Sequence, residues 1–483
     1  MYHPASSQTV GDHTFTLCFI CHRYLRSRMV QLWFLAVTSM AQVQCFAWIP
    51  VANTNRRCAH HWMTSSSDVP LIFLPGLKGC HLANGPNKRS WLTLEGLLNV
   101  PPRADHFVDR DLALPLTYTQ QRQHSGALVP DGIVKHIVDV GPIRLLPFYG
   151  HITTLLDETD RPTACYTYDW RRNPQELVDD FFAFCCQTFP HQPVQLVGHS
   201  FGGLIAYAAM RDHPEKFKPG LVLVGVPFGT GIQYLQDLHR GYYTELNRCR
   251  QFLPETQFTM SSHWIFFPTS NVEQEVSLVD VTNRTEVTFN ANTSSIGKSI
   301  RDFRPATNGT NVEINFYSVR DWEQHRLGVF GMDHIHYEKI ELYRKHMNIQ
   351  LNAAKEFRQR YLSIDQASLP PLIVCASDSE PTINQILRRT LNDGSMEYDY
   401  VSGRSVPGDG RIYFDAAFPP STTHHSVVRL KSMHAKQLLW EAKGGDLGTI
   451  WKQVVAQVDC YVSVENADST KVLTMPGISV TTQ

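Results

Sequence analysis

The stretch Val194-Gln195-Leu196-Val197-Gly198-His199-Ser200-Phe201-Gly202-Gly203 limits what this chain can become more than any other. Val194 to Val197 is a short apolar run that reads as a buried strand, and Leu204 to Met210 follows with helical character. Between them lies Gly-x-Ser-x-Gly. Strand, tight turn and helix together are the setting of a nucleophile elbow, which strains the serine backbone and lifts its hydroxyl to the carboxyl edge of a sheet. Glycines on either side remove the Cβ atoms that would clash in such a turn. Ser200 is therefore the candidate nucleophile; a merely structural strand-to-helix turn is the alternative.

The 483 residues, 42% of them hydrophobic, suffice for one large core or two. A net charge of −1 and the lack of a basic block leave no electrostatic case for nucleic acid. Eleven cysteines are too dispersed for a disulfide scaffold, and their odd number leaves at least one unpaired.

Residues 13 to 67 contain no acidic residue, and Arg23, Arg26 and Arg28 precede the apolar run Met29 to Val37 and the small residues Ser39-Met40-Ala41. This leader, residues 1–67, reads as a signal peptide or anchor bound for the secretory pathway, endomembranes or secretion, with a mitochondrial presequence or a plain leader as alternatives. Cys18-Phe19-Ile20-Cys21-His22 matches haem-attachment spacing, but its place in a leader argues against a cofactor, and no partner pair for zinc accompanies it. No cofactor or metal is expected. Sequons begin at Asn283, Asn292 and Asn308, about as many as composition alone produces.

From Pro70 the strand–helix alternation predicts an α/β-hydrolase fold: a mostly parallel sheet with helices on both faces and a large cap or lid insertion. Leu71 to Leu74 runs into Pro75-Gly76-Leu77-Lys78-Gly79, the early junction that supplies one oxyanion-hole amide; the other belongs to the residue after the nucleophile. That assigns the amides of Leu77 and Phe201. Ala164 to Tyr168 reads as a strand, and Asn173, Pro174 and Glu176 as a capped helix start with Leu177, Phe181 and Cys185 on its apolar face. Leu221 to Val226 is the next strand. The expected boundaries are a first core part at 68–229, a cap at 230–369 where the alternation lapses, a second core part at 370–445, and a C-terminal helix (about 446 to 457) and tail within 446–483.

A serine nucleophile needs a histidine base and a carboxylate that fixes the imidazole. Chain order favours His434, late in the sequence, with His424 and His425 as rivals among 22 histidines. For the acid, spacing leaves Asp378, after the strand Leu372 to Ala376, and Asp409, between two glycines, evenly matched.

Phe73-Leu74-Pro75-Gly76-Leu77-Lys78-Gly79, Tyr168-Asp169-Trp170-Arg171-Arg172, Gly198-His199-Ser200-Phe201-Gly202-Gly203 and Gly408-Asp409-Gly410 together resemble the lecithin–cholesterol acyltransferase family, which includes lysosomal phospholipase A2 and phospholipid–diacylglycerol acyltransferases. The likeness spans roughly residues 70 to 440, and Tyr-Asp-Trp-Arg-Arg is its most specific part. It implies a triad of Ser200, Asp409 and His434, and so Asp409 over Asp378. It also implies attack on a phospholipid or related lipid ester at a membrane surface, with the acyl group passing to water, a sterol or another alcohol. Three features depart from the family: Arg411-Ile412 where Thr-Val is more usual, Lys78-Gly79-Cys80 after the oxyanion loop, and no cysteine between Cys80 and Cys165 to clamp a lid. Other expectations compatible with the residues are a soluble esterase or thioesterase, and a catalytically silent hydrolase fold that binds lipid.

Overall fold

The four inner strands of the six-stranded central sheet are buried throughout, which is why they read as apolar runs rather than alternating ones, and its two edge strands are partly exposed. The six are β1 (Leu71–Leu74), β2 (Thr163–Cys165), β3 (Gln195–His199), β4 (Leu221–Val224), β5 (Leu372–Ser377) and β6 (His425–Leu430). The computed structural model describes residues 65–85, 89–93, 112–116, 128–140, 143–229, 231–243, 250–267, 277–287, 303–332, 339–363, 369–419 and 425–466. Residues 1–64 of the leader, with its Cys-x-x-Cys-His run, and His424, Asn292 and the end of the tail lie outside these. Asn283 and Asn308 are exposed.

All six strands pair in parallel in the order β2-β1-β3-β4-β5-β6. The chain leaves β1 toward one edge and then grows from β3 toward the other. The crevice at the carboxyl ends of β1 and β3 is thus the switch point where open α/β sheets place their ligands. This is the α/β-hydrolase arrangement. Successive strand residues alternate between two cores. Ile72, Leu74, Leu196, Leu223 and Val374 join one cluster, with helices α2 (Pro174–Thr188), α3 (Phe201–Asp212) and α5 (Ile340–Tyr361). Leu71, Phe73, Val197, Val224 and Cys375 join the other, with α1 (Gly150–Glu158) and α6 (Leu447–Asn466).

Helix α2 starts as its sequence suggests. Asn173 Oδ1 accepts the Gln175 N–H at 2.9 Å, and Leu177, Val178, Phe181 and Cys185 are buried. Glu176 also meets Arg172 at 2.8 Å, one turn back. Three expectations shift. The strands after Thr163 and Leu221 are shorter than read, and α6 continues to Asn466. Within 230–369, where no clean period was legible, the chain forms α4 (Gln233–Arg240) and the 22-residue α5. The core-facing positions of α5 include His346, Gln350 and Arg358, and these polar residues blur its apolar period. Arg358 is accommodated by donating to the Ile265 and Phe228 carbonyls at 2.9 and 3.1 Å. The aromatic run Trp264-Ile265-Phe266-Phe267 is buried to 1% exposure or less, so it packs inward. A separate four-stranded sheet takes Ser277–Asp280 and Thr310–Asn311 from before β5 and Gln385–Thr390 and Met396–Asp399 from after it.

Tyr168-Asp169-Trp170-Arg171-Arg172 is a buried clamp. Tyr168 Oη donates to the Pro75 carbonyl at 2.6 Å and Trp170 Nε1 to the Cys80 carbonyl at 3.1 Å, gripping the loop after β1 from both ends. The Arg171 guanidinium meets both Asp169 oxygens, Nε to Oδ1 at 2.8 Å and Nη2 to Oδ2 at 2.7 Å, and spans to the Leu112 carbonyl at 3.0 Å. Removing one partner of such a pair strands a buried charge, at a cost of about 3–5 kcal/mol. Asp169→Ala is therefore expected to lose about that much stability, seen as a lower urea midpoint at unchanged slope. A midpoint equal to wild type would show the pair to be dispensable.

Candidate active site

Strand β3 ends at His199 and α3 begins at Phe201, so Ser200 is the whole joint. Its backbone sits at φ +52 and ψ −127, a conformation that costs a non-glycine residue about 1–3 kcal/mol. The surroundings hold it there. Ser200 N–H donates to the Val224 carbonyl and Gly203 N–H to the Ser200 carbonyl, both at 2.9 Å. A Cβ on Gly202 would lie 2.3 Å from the Pro75 carbonyl oxygen, so only glycine lets the elbow helix approach the loop after β1 this closely.

That loop is closed by Gly79 N–H on the Gly76 carbonyl at 3.0 Å and held from outside by Trp91 Nε1 on the Lys78 carbonyl at 2.9 Å. Tyr149 Oη takes the Gly76 N–H at 2.8 Å, so its own proton goes to His199 Nδ1, also at 2.8 Å. Burial, with His434 adding to it, pushes His199 well below the usual histidine range and keeps it neutral. One phenol thus ties the loop after β1 to the residue before Ser200. The Leu77 and Phe201 amides flank this junction. Phe201 opens α3 and has no intrahelical acceptor, and neither amide is engaged by another described residue.

His434 Nε2 lies 3.0 Å from Ser200 Oγ, and His434 Nδ1 lies 2.7 Å from Asp409 Oδ2. An ionised carboxylate only accepts, so Nδ1 carries the proton and Nε2 is left as the base facing the hydroxyl. Asp409 is 3% exposed and fully employed. Its Oδ1 accepts the Arg411 and Ile412 N–H groups at 2.9 and 2.7 Å, and its Oδ2 also accepts Gln437 Nε2 at 3.0 Å. Arg411 and Ile412 serve the acid through backbone amides, so replacing the more usual Thr-Val leaves the acid's support intact. Asp446 fixes the loop carrying His434 by accepting the Lys431 and Ser432 N–H groups at 3.0 and 2.9 Å. Gly225, at φ +54, gives His434 room: a Cβ there would sit 2.4 Å from Gln437 Oε1 and 3.1 Å from His434 Nδ1.

The rivals fall elsewhere. Asp378 is ion-paired with Arg429, and His425 opens β6 at the amino edge of the sheet, opposite the edge where Ser200 stands. Sequence reasoning missed Tyr149 and Gln437. Gln437 stands three residues after His434, one turn on, which is a signal of sorts; Tyr149, 51 positions before Ser200, has none. Among the described residues no cluster of side chains could hold a metal. The described cysteines, Cys80, Cys165, Cys185, Cys186, Cys375 and Cys460, are free thiols.

A family model described as serine aminopeptidase, S33 matches residues 169–292, a span that includes the elbow and stops before Asp409 and His434. Among solved structures, the chain is similar to one from the Tle4-Tli4 complex at 13% identity, covering 84% of this chain and 100% of that one, with a TM-score of 0.46. The thioesterase domain from the curacin biosynthetic pathway aligns at 12% identity over 80% and 92%, TM-score 0.24. The peroxisomal α/β-hydrolase Lpx1 of Saccharomyces cerevisiae aligns at 10% over 89% and 91%, TM-score 0.25. No curated protein matches the chain in sequence. The sheet order, the elbow and the family match together make this a serine-hydrolase-type α/β-hydrolase.

Two substitutions separate the parts of the site. Asp409→Asn keeps the acid's shape but favours the wrong imidazole tautomer, and kcat toward an activated ester is expected to fall by about 10⁴. Tyr149→Phe leaves the Gly76 amide and His199 Nδ1 unsatisfied, each worth about 1–3 kcal/mol. Its expected signature is a loss of stability together with a drop of roughly tenfold or more in kcat. A Tyr149→Phe protein of wild-type kcat would remove the phenol from the catalytic frame.

Proposed function

We propose that the protein is a serine-dependent lipid acyl hydrolase or O-acyltransferase acting through an acyl-serine intermediate. The observation that carries the catalytic part is the unbroken line Asp409–His434–Ser200 at 2.7 and 3.0 Å. In this reading Ser200 Oγ attacks the ester carbonyl while His434 Nε2 takes its proton. The Leu77 and Phe201 amides receive the oxyanion, where charge develops and preorganised donors matter most. Collapse expels the alcohol, to which His434 returns the proton. Water or a second alcohol, activated by the same imidazole, then releases the acyl group.

The lipid part rests on the motif set. Phe201 meets Phe266 edge-on at 6.0 Å between ring centroids, and Tyr234 stacks on Phe266 at 3.9 Å, so the core beside the elbow is aromatic. A membrane surface is the natural source of such substrates. A soluble esterase or thioesterase is the second reading, and the inward packing of Trp264 to Phe267 favours it, because that run offers no apolar face to a bilayer. No helix among the described residues is long and apolar enough to cross a membrane.

The deciding experiment is product analysis on mixed phospholipid vesicles containing a sterol, diacylglycerol and a long-chain alcohol, with Ser200→Ala as control. The expected outcome is lysolipid with free fatty acid or a new acyl ester from wild type alone, with activity reduced by 10³ or more in the variant. Cleavage confined to soluble short-chain esters would support the second reading. Lipid binding with a Ser200 inert to serine-directed probes would overturn the enzymatic one.

A further inference from the structure

The turn that carries His434 brings a second side chain to the same acid. His434–Lys436 is a single 3₁₀ turn, and Gln437 closes it. Three residues make one turn of such a helix, so the side chains at 434 and 437 lie one above the other. Both reach Asp409. His434 Nδ1 lies 2.7 Å from Oδ2, and Gln437 Nε2 lies 3.0 Å from the same oxygen. The backbone fixes this arrangement at both ends of the turn. The Asp409 carbonyl accepts the His434 N–H at 2.8 Å, and the Gln437 carbonyl accepts the Asp446 N–H at 3.2 Å.

Holding Asp409 in place does not by itself call for an amide here. Oδ1 already accepts the Arg411 and Ile412 N–H groups. Gln437 is 0% exposed, and its Oε1, packed against Gly225, has no hydrogen-bond partner among the described residues. A buried acceptor left without a donor is costly, and an apolar side chain of the same length would avoid that cost. What the amide adds is a second donor on Oδ2. A donor there stabilises the carboxylate's charge and weakens its pull on the other donor to that oxygen. The pull matters most once His434 holds the Ser200 proton, because its bond to Asp409 then joins two charges.

The surroundings of the imidazole leave this bond as the adjustable one. Besides Asp409, the titratable group facing it is His199 from the end of β3, with ring centroids 4.9 Å apart, and burial keeps His199 neutral. On its own turn Lys436 is exposed, and Asp446 spends its carboxylate on the Lys431 and Ser432 N–H groups.

We propose that Gln437 is a positioning residue that sets how firmly Asp409 holds the protonated His434, by taking a share of the oxygen the imidazole binds. The proposal rests on the reading of Ser200 as nucleophile and His434 as its base. In that cycle the imidazolium must form and then give its proton to the leaving alcohol, so a hold that is too firm slows the return of the base.

The acid limb of the pH profile reads this hold. Catalysis needs the neutral imidazole, so an Asp409 freed from Gln437 keeps the imidazolium to higher pH, and kcat/KM begins to fall at higher pH. With p-nitrophenyl butyrate as substrate and Ser200→Ala as blank, Gln437→Met is expected to move the limb up by about half a pH unit or more. Gln437→Asn, polar but a methylene short of Asp409, is expected to move it the same way and serves if the methionine variant does not fold. A lower rate at every pH, with the limb unmoved in a folded variant, would make Gln437 a packing residue; it would overturn the proposal and leave the enzymatic reading intact. Should wild type not hydrolyse the ester, the enzymatic reading fails, and proton NMR decides the role of Gln437. The His434 Nδ1 proton in its bond to Asp409 gives a far-downfield resonance, identified by its loss in Asp409→Asn. A titration midpoint of that resonance raised in Gln437→Met upholds the proposal, and an unchanged midpoint overturns it.

Discussion

A single residue in a disfavoured backbone conformation organises the molecule. Ser200 at φ +52 is tolerable only because β3, held between β1 and β4, and α3, buried along nearly its whole length, leave the joint no alternative. The strain of about 1–3 kcal/mol is small beside the burial of α3, since each fully buried apolar side chain contributes about 1.5–3 kcal/mol and Leu204, Ile205 and Met210 are all at 0% exposure. The core therefore dictates the backbone at Ser200, and the raised hydroxyl follows from that. The closeness of Gly202 to Pro75 carries the constraint sideways, because it sets how near the loop after β1 comes to the serine.

The second dependence runs through the loop after β1, whose two ends and middle are each held by a different aromatic side chain. Tyr168 takes its first carbonyl, Tyr149 the Gly76 amide, Trp91 the Lys78 carbonyl and Trp170 the Cys80 carbonyl. The first of these comes from just beyond β2, next to β1 in the sheet, and the second from the residue before α1. A loop with this many outside contacts cannot drift without disturbing both faces of the sheet. An oxyanion donor must already be in place when charge develops, and this is the kind of rigidity it needs.

Much of this was legible in the sequence, and the illegible remainder has two causes. Short apolar runs marked β1, β3 and β5, and glycine-bearing turns marked the ends of the first two, because strands buried on both faces are mostly apolar. The Ser200, Asp409 and His434 positions followed from chemistry, chain order and the Gly-Asp-Gly resemblance, and the structure brings them within hydrogen-bond distance. What escaped are contacts between residues far apart in sequence that carry no local pattern. Tyr149 bridging Gly76 and His199 is one, and Gln437 on Asp409 is another. Helix α5 escaped for a different reason: His346, Gln350 and Arg358 face inward, and their polarity cancels the period that identifies an amphipathic helix. Tyr-Asp-Trp-Arg-Arg stood out as the most family-specific run, yet its contacts are with the loop backbone, the Leu112 carbonyl, the start of α2 and one another. Specific sequence there reflects the demands of a buried ion pair and two aromatic donors.

The loop carrying Asp409 shows backbone and side chain of one turn serving different partners. Asp409 is held by four donors, two of them backbone amides from Arg411 and Ile412, so the carboxylate's position is insensitive to which side chains those residues carry. That freedom lets Arg411 turn its guanidinium away, toward Asp237 and Tyr234. A residue next but one to Asp409 thereby makes an ion pair with Asp237 while its backbone still holds the Asp409 carboxylate. Lys78 stands in the same relation to Leu77, with its backbone in the loop after β1 and its ammonium over the Tyr242 ring. In both loops the backbone shapes the neighbourhood of Ser200, and the side chains make their contacts elsewhere.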